Sequence, residues 1–241
     1  MGTNSFEDVY NTFFAPGEVT EIRAYGLSRK GPWEGYAAGA GVVSGYFDNA
    51  KDFAAAAVAL EEAKAPGIYF TLNPVDEDLI ARAKNRLKAA GPKTSLTTDK
   101  DITCIRWLPI DLDPVRKSGI SSTDEELAYA FETAGRIHPW FTKYFGFPGP
   151  VKGISGNGAH LCYRLPDLTP VERGSEIVKK ILVLIARKFD TDQVKIDRAV
   201  FNPSRIWKVY GTTARKGDHT EKRPHRKSKL ISKSEKEEVS S

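Results

Sequence analysis

The run RWLPIDLDPVR, residues 106–116, constrains the chain more than any other stretch. It is apolar and rich in branched side chains, which suits a buried strand, and it breaks at Pro114, which cannot donate to a sheet ladder. Along a strand, residues i and i+2 point to one face, so Asp111 and Asp113 converge while Ile110 and Leu112 turn to the other side. A fold built on this strand needs an apolar layer on one face and a setting that tolerates two like charges on the other. Converging carboxylates repel unless a proton or a cation lies between them. Hard oxygen donors suit Mg²⁺ or Mn²⁺, which are held through few protein groups so that waters and phosphates complete the shell. A lone pair of this kind is also the ordinary look of a solvated strand end before a turn, and by itself it does not separate the two.

The elements around this strand alternate. Residues 19–26, 41–49 and 67–73 read as strands, the Ala-rich 50–64 as a helix stopped by Pro66-Gly67, and 76–91 as a helix with acidic residues in its first turn and Gly91 at its end. After a polar loop and the 106–116 strand, Thr123 and Glu126 are spaced as a capping box, opening a helix over 121–141. Residues 151–165 read as two short strands around a Gly-containing turn. Pro170 opens a further helix, whose apolar face runs through Ile177, Ile181, Leu184 and Ile185. QVKIDRAV and RIWKVYG read as closing strands. The expectation is an α+β (mixed α/β) fold with one sheet in each half of the chain.

Two further stretches bear on chemistry. In SGNGAH, Ser155 to His160, two glycines let the backbone approach an anion, and the histidine opens the next strand. A Gly-rich hairpin with a structural histidine reads the same way. In VKIDRAVFNPSRIWKVYGT, residues 194–212, Asp197 is placed to complete a two-metal site with the first pair, and Arg205 or Lys208 to clamp a triphosphate. On alternation, Arg205, Trp207 and Val209 share one face and Ile206, Lys208 and Tyr210 the other.

The order of the three stretches resembles the archaeo-eukaryotic primase superfamily, in particular the primase-polymerase domains of phage and plasmid replication proteins. WLPIDLDPVR, SGNGAHL and KIDRAVFNPSRIWKVYGT carry the likeness, which extends over residues 18–226. It implies a two-lobed unit, an N-terminal α/β lobe over about 18–100 and a catalytic lobe over about 101–220 with an RNA-recognition-like sheet. Asp111, Asp113 and Asp197 would bind two Mg²⁺ or Mn²⁺ ions. His160, with Ser155, Gly156, Asn157 and Gly158, would hold the incoming nucleotide's phosphates, and Arg205, with Lys208, would neutralise the triphosphate. The reaction implied is nucleotidyl transfer on a single-stranded DNA template, with nucleoside triphosphates and a primer as partners and a helicase in the same or another chain. The departures are a lack of cysteines for a Cys-based zinc module and of a phosphate-loop signature of the helicase kind.

Charge agrees with a polyanionic partner. Of a net +5, residues 214–241 supply nine Lys and Arg against five Asp and Glu, while the rest holds 27 against 26. Within ARKGDHTEKRPHR, residues 214–226, Arg215, Lys216, Arg223, His225 and Arg226 are candidates for nucleic-acid contact; a solvated loop is the other reading. Residues 221–241 read as a basic tail or a linker to a missing C-terminal region, disordered from 227 onward. Trp33, Tyr36, Tyr46, Phe47, Trp107, Trp140 and Trp207 offer stacking surfaces for bases if exposed, or core if not. Cys104 and Cys162 lie in apolar stretches and read as reduced, buried thiols, which with the lack of a signal peptide or membrane span suggests a cytoplasmic protein. Two rival classes share parts of this pattern: a nucleotide-sugar glycosyltransferase using the same carboxylate pair, and a non-catalytic single-stranded nucleic-acid-binding module.

Overall fold

Among the residues described by the computed structural model (5–27, 30–35, 41–91 and 93–231), two five-stranded antiparallel sheets stand side by side. The chain opens with α1 (Phe6–Phe13), capped by Ser5, followed by β1 (Thr20–Tyr25), β2 (Val42–Phe47), α2 (Ala50–Glu62) and β3 (Gly67–Thr71). β4 (Lys88–Ala90) leads to β5 (Ile105–Pro114), then α3 (Asp124–Phe145), β6 (Val151–Ile154), β7 (Ala159–Leu168), α4 (Val171–Phe189) and β8 (Val194–Ile196). β9 (Ile206–Lys208), β10 (Thr213–Ala214), β11 (Arg226–Lys227) and β12 (Lys229–Ile231) complete it.

The first sheet has the order β4-β2-β1-β3-β9 and the second β12-β6-β7-β5-β8. In the second, β5-α3-β6-β7-α4-β8 follows the split β-α-β-β-α-β pattern, with β5 and β7 central and all pairings antiparallel. This is the mixed α/β architecture expected, with helices on one face of an antiparallel sheet. α3 and α4 bury Leu108, Ile110 and Leu112 of β5, together with Leu161 and Tyr163 of β7. The opposite face of that sheet, which carries Trp107, Asp111, Asp113 and His160, turns toward the first sheet. There α1 joins the lobes: the Phe13 ring lies 5.0 Å from Phe70 of β3 and 5.1 Å from Trp107 of β5.

Four expectations are corrected. Residues 76–91 do not form one α-helix: a 3₁₀ turn at Glu77–Arg82 gives way to an extended link into β4. Tyr46 on β2 takes hold of this link, donating its N–H to the Ala83 carbonyl and accepting the Asn85 N–H, while Asn85 adopts φ +49°. A helix would forgo both bonds. Second, α4 is rotated about its axis. Val178, Leu182, Ile185, Ala186 and Phe189 are buried, whereas Ile177 and Leu184 are 38% and 46% exposed.

Third, the sheets do not divide the chain at its middle. β9 crosses back to pair with β3, setting Lys208 opposite Tyr69 and Trp207 opposite Phe70. Fourth, the segment expected to be a disordered tail from 227 supplies β12, whose Lys229–Ile231 pairs with Lys152–Ile154 of β6 and buries Leu230 in the core. Residues 232–241 lie outside the described residues.

Candidate active site

The crossing of β9 creates a cavity of about 550 Å³ between the sheets, lined from both of them. Asp111, Asp113, Ser155, Asn157 and His160 come from the second sheet, and Arg205, Lys208, Arg215 and Lys216 from the segment that returns to the first. Stretches far apart in sequence meet here, acidic and imidazole groups on one wall and cationic groups on the other.

On the acidic wall, β5 and β7 pair so that Asp111 stands opposite His160. The His160 Nε2 lies 3.4 Å from Asp111 Oδ1, an oxygen that is buried and has no hydrogen-bond partner. The other ring nitrogen, Nδ1, is 2.9 Å from the Tyr210 hydroxyl, which also accepts the Trp207 indole N–H at 2.8 Å. Indole nitrogen only donates, so the Tyr210 proton is free to go to Nδ1, which leaves the proton on Nε2, facing Asp111. The imidazole also lies against the Trp207 ring, with centroids 4.0 Å apart, so its orientation is fixed from three sides.

Asp113 receives only a long contact from Arg116, at 3.4 Å. That guanidinium is pinned by the Pro114 and Ile120 carbonyls. Although about half of the Asp113 side-chain surface (49%) reaches solvent, the protein walls that crowd it, and next the Asp111 charge, push its carboxyl above the usual range, against the pull of Arg116 and Lys216.

Asp197 follows β8 at the position facing Asp111, and its N–H donates to the Asp111 carbonyl at 2.9 Å. Opposed residues of an antiparallel pair share a face, so the three carboxylates stand on one side of the sheet. The Asp197 Oδ1 nevertheless accepts the Ala199 N–H, at 2.8 Å, and the residue does not line the cavity. Among the described residues, no three carboxylate, imidazole or thiol groups are gathered as a ready ligand set. What suits a cation is the Asp111–Asp113 pair: hard oxygens, one of them buried without a partner, beside a carboxyl pushed upward by burial and then by the Asp111 charge. Those two residues would hold a divalent ion, and Asp197 would join after turning from Ala199.

The glycines of the turn act through close approach. A Cβ on Gly158 would lie 2.4 Å from the Leu112 carbonyl oxygen and 3.4 Å from Asp113 Oδ1. Gly156 has φ +102°, and a Cβ there would meet Ala214 at 2.6 Å. The turn therefore sits directly against the aspartate strand. Its Asn157 and Gly158 N–H groups donate to Ser155 Oγ at 3.3 and 2.9 Å, closing the turn upon itself. Asn157 Oδ1 accepts the Ser122 N–H ahead of α3.

On the basic wall, Arg205 is held by Asn202 Oδ1 and the Ala199 carbonyl. Lys208 is 4% exposed, donates to the Thr213 carbonyl at 3.3 Å and sits 5.5 Å from the Tyr69 ring centroid. Burial pushes its pKa down to about 8, with Glu61 opposing and Arg215 adding to the fall. Arg215 forms a two-pronged pair with Glu61. Lys216 lines the cavity as well.

The remaining basic candidates lie elsewhere. Arg223 pairs with Glu126 and Arg226 with Asp124, and each also donates to a main-chain carbonyl of residues 121–122, which ties the C-terminal segment to the start of α3. His225 Nε2 contacts the Gly217 carbonyl at 2.8 Å. Among the aromatic candidates, Tyr46, Phe47, Trp107 and Trp207 are buried core, and Trp33 and Trp140 are half-buried. Tyr36 lies outside the described residues. Arg116, Tyr69 and Tyr210 belong to the site and escaped the sequence reading. Arg116 had a signal, being three residues beyond Asp113; the tyrosines had none.

No protein-family model matches this chain, and no curated protein matches it. Among solved structures, it is similar to the polymerase domain from Mycobacterium tuberculosis ligase D in complex with DNA, at 14% identity and a TM-score of 0.48, over 92% of this chain and 78% of that one. A likeness of this order leaves activity open, so function must be read from the chain's own side chains. No helix among the described residues is long and apolar enough to cross a membrane.

Proposed function

We propose that the chain is a metal-dependent nucleotidyltransferase, a DNA primase-polymerase that joins nucleoside triphosphates on a single-stranded DNA template. The observation that carries this reading is the polarity of the cavity: the Asp111–Asp113 pair with its unpartnered buried oxygen on one wall, and Arg205, Lys208, Arg215 and Lys216 on the other. A polyphosphate bridged by Mg²⁺ or Mn²⁺ has both kinds of charge to satisfy. When bound at the carboxylates, such ions would acidify the attacking 3′-hydroxyl and hold the pyrophosphate leaving group.

The chain's own groups divide the remaining work. The basic wall neutralises the phosphate oxygens as charge shifts toward the leaving group, an effect strengthened by the low-dielectric surroundings of Lys208. His160, braced by Tyr210 and Trp207, presents an N–H at the floor of the cavity, where it can donate to a phosphate oxygen once Asp111 is engaged. Template and primer would approach from the open side of the cavity.

Ligand-induced stabilisation separates the rival classes. With Mn²⁺ present, a deoxynucleoside triphosphate at a hundredfold excess over its Kd is expected to raise the thermal midpoint by about 5–10 °C, and a UDP-sugar to leave it in place. A shift with the UDP-sugar alone would move the assignment to glycosyl transfer. Binding of single-stranded DNA with no response to any nucleotide would leave a binding module.

A further inference from the structure

Behind the basic wall, and outside the cavity, Glu61 near the C-terminal end of α2 gathers two of the wall's components. Its Oε1 accepts the Thr213 hydroxyl at 2.6 Å and one Arg215 nitrogen at 2.8 Å; its Oε2 accepts the Thr213 N–H at 3.0 Å and the other nitrogen at 3.2 Å. Burial pushes the Glu61 carboxyl upward, but these hydrogen bonds outweigh it and hold the group below the usual carboxylate range. Arg215 is fastened further to the Ala65 carbonyl, and its main-chain N–H to that of Pro66. Thr213, thus held, presents the carbonyl to which the buried Lys208 ammonium donates. One carboxylate fixes two cations of the wall.

We propose that Glu61 is the positioning residue of the anion site: it sets Thr213 and Arg215 in place and supplies the compensating charge that keeps Lys208 an ammonium facing the bound triphosphate. The inference rests on the reading of the cavity as a triphosphate site. The charged and titratable groups around Lys208 come from several elements. Glu61 on α2 favours its charged form, Arg215 beyond β10 opposes it, Tyr69 on β3 packs against it, and Asp111 and Asp113 share the cavity from β5. Because burial brings the Lys208 pKa down to about 8, the loss of one nearby carboxylate is felt at physiological pH.

Glu61→Gln keeps the size of the side chain and an acceptor for Thr213 while it removes the charge. Two readouts apply, the titration of Lys208 followed by NMR and the Kd for inorganic triphosphate across pH. Lys208 is expected to titrate at lower pH in the variant. Triphosphate binding should weaken less than twofold at pH 6.5 and about fivefold at pH 8, as for a shift of roughly one unit. Arg215→Met, which removes the opposing cation, should move the Lys208 titration upward. An unmoved Lys208 in both variants, or equal weakening at both pH values alongside a lower thermal midpoint, would make Glu61 a structural strut and overturn the proposal. Should the wild type not bind triphosphate at any pH, the cavity reading fails, and the Lys208 titration still decides the role of Glu61.

Discussion

Asp111→Asn should abolish metal-dependent nucleotide incorporation, by about 10³-fold or more, while making the folded chain more stable by about 1 kcal/mol. The two effects have one cause. The Asp111 Oδ1 is buried with no hydrogen-bond partner, close to a second carboxylate. An unsatisfied buried polar atom costs about 1–3 kcal/mol, more when charged, and an amide removes the charge while it adds a donor. Asp113 provides an internal check. Its carboxyl is raised by crowding and then by Asp111, so its protonated form favours the folded state at low pH, and this contribution is lost as pH rises through the raised value. In Asp111→Asn that loss should shrink, and stability should depend less on pH just above the ordinary carboxylate range. Urea denaturation between pH 4 and 8 measures both. A variant less stable than wild type throughout would mean that Asp111 is a structural partner of His160.

Lys208→Met gives the second large effect, again with opposite signs for stability and function. A lysine that titrates near 8 in the folded chain and near 10.5 unfolded disfavours folding wherever it is charged in both states. The penalty is fully present below the folded value and disappears as pH rises toward the unfolded one. Methionine fills a similar volume without charge, so the variant should gain about 1–3 kcal/mol at pH 7 and little at pH 10.5. It should also bind a nucleoside triphosphate at least about tenfold more weakly at pH 7, since a charge-assisted contact in a buried wall is worth about 1.5–3 kcal/mol. Equal nucleotide affinity in the two proteins would remove Lys208 from the anion site.

How far the site could be read in advance follows from which forces are local. The carboxylate pair was legible because the two-residue period of a strand fixes the side on which Asp111 and Asp113 stand, and because a β-branched and apolar run marks a buried strand. The Gly-containing turn was legible too, and it pairs β7 with β6; that β7 also lies beside β5, which sets His160 opposite Asp111, was not. The capping box at Thr123 was local as well, and Thr123 Oγ1 does accept the Glu126 N–H.

What was not legible depends on partners distant in sequence. α4 carries two apolar stripes at helical spacing, one through Ile177 and Leu184 and one through Val178, Leu182 and Phe189, and only the packing against β5 and β8 selects between them. The return of β9 to the first sheet has no local signature, yet it is what places Lys208 opposite Tyr69 and closes the cavity. Arg223 and Arg226 have the charge that suits phosphate, but a guanidinium suits the carboxylates of Glu126 and Asp124 equally, and sequence does not say which anion is nearer. Residues 76–91 have helical composition, but two backbone bonds to Tyr46 outweigh propensities worth a few tenths of a kcal/mol per residue.

The most direct measurement is nucleotide incorporation on a single-stranded DNA template with Mg²⁺ or Mn²⁺, with and without a supplied primer, comparing wild type with the Asp111→Ala/Asp113→Ala double variant. Products that require the metal are expected from wild type and should be lost in a double variant that remains folded; products formed without primer would make the enzyme a primase as well as a polymerase. Equal background in the two folded proteins, in the presence of a nucleotide that demonstrably binds, would contradict it.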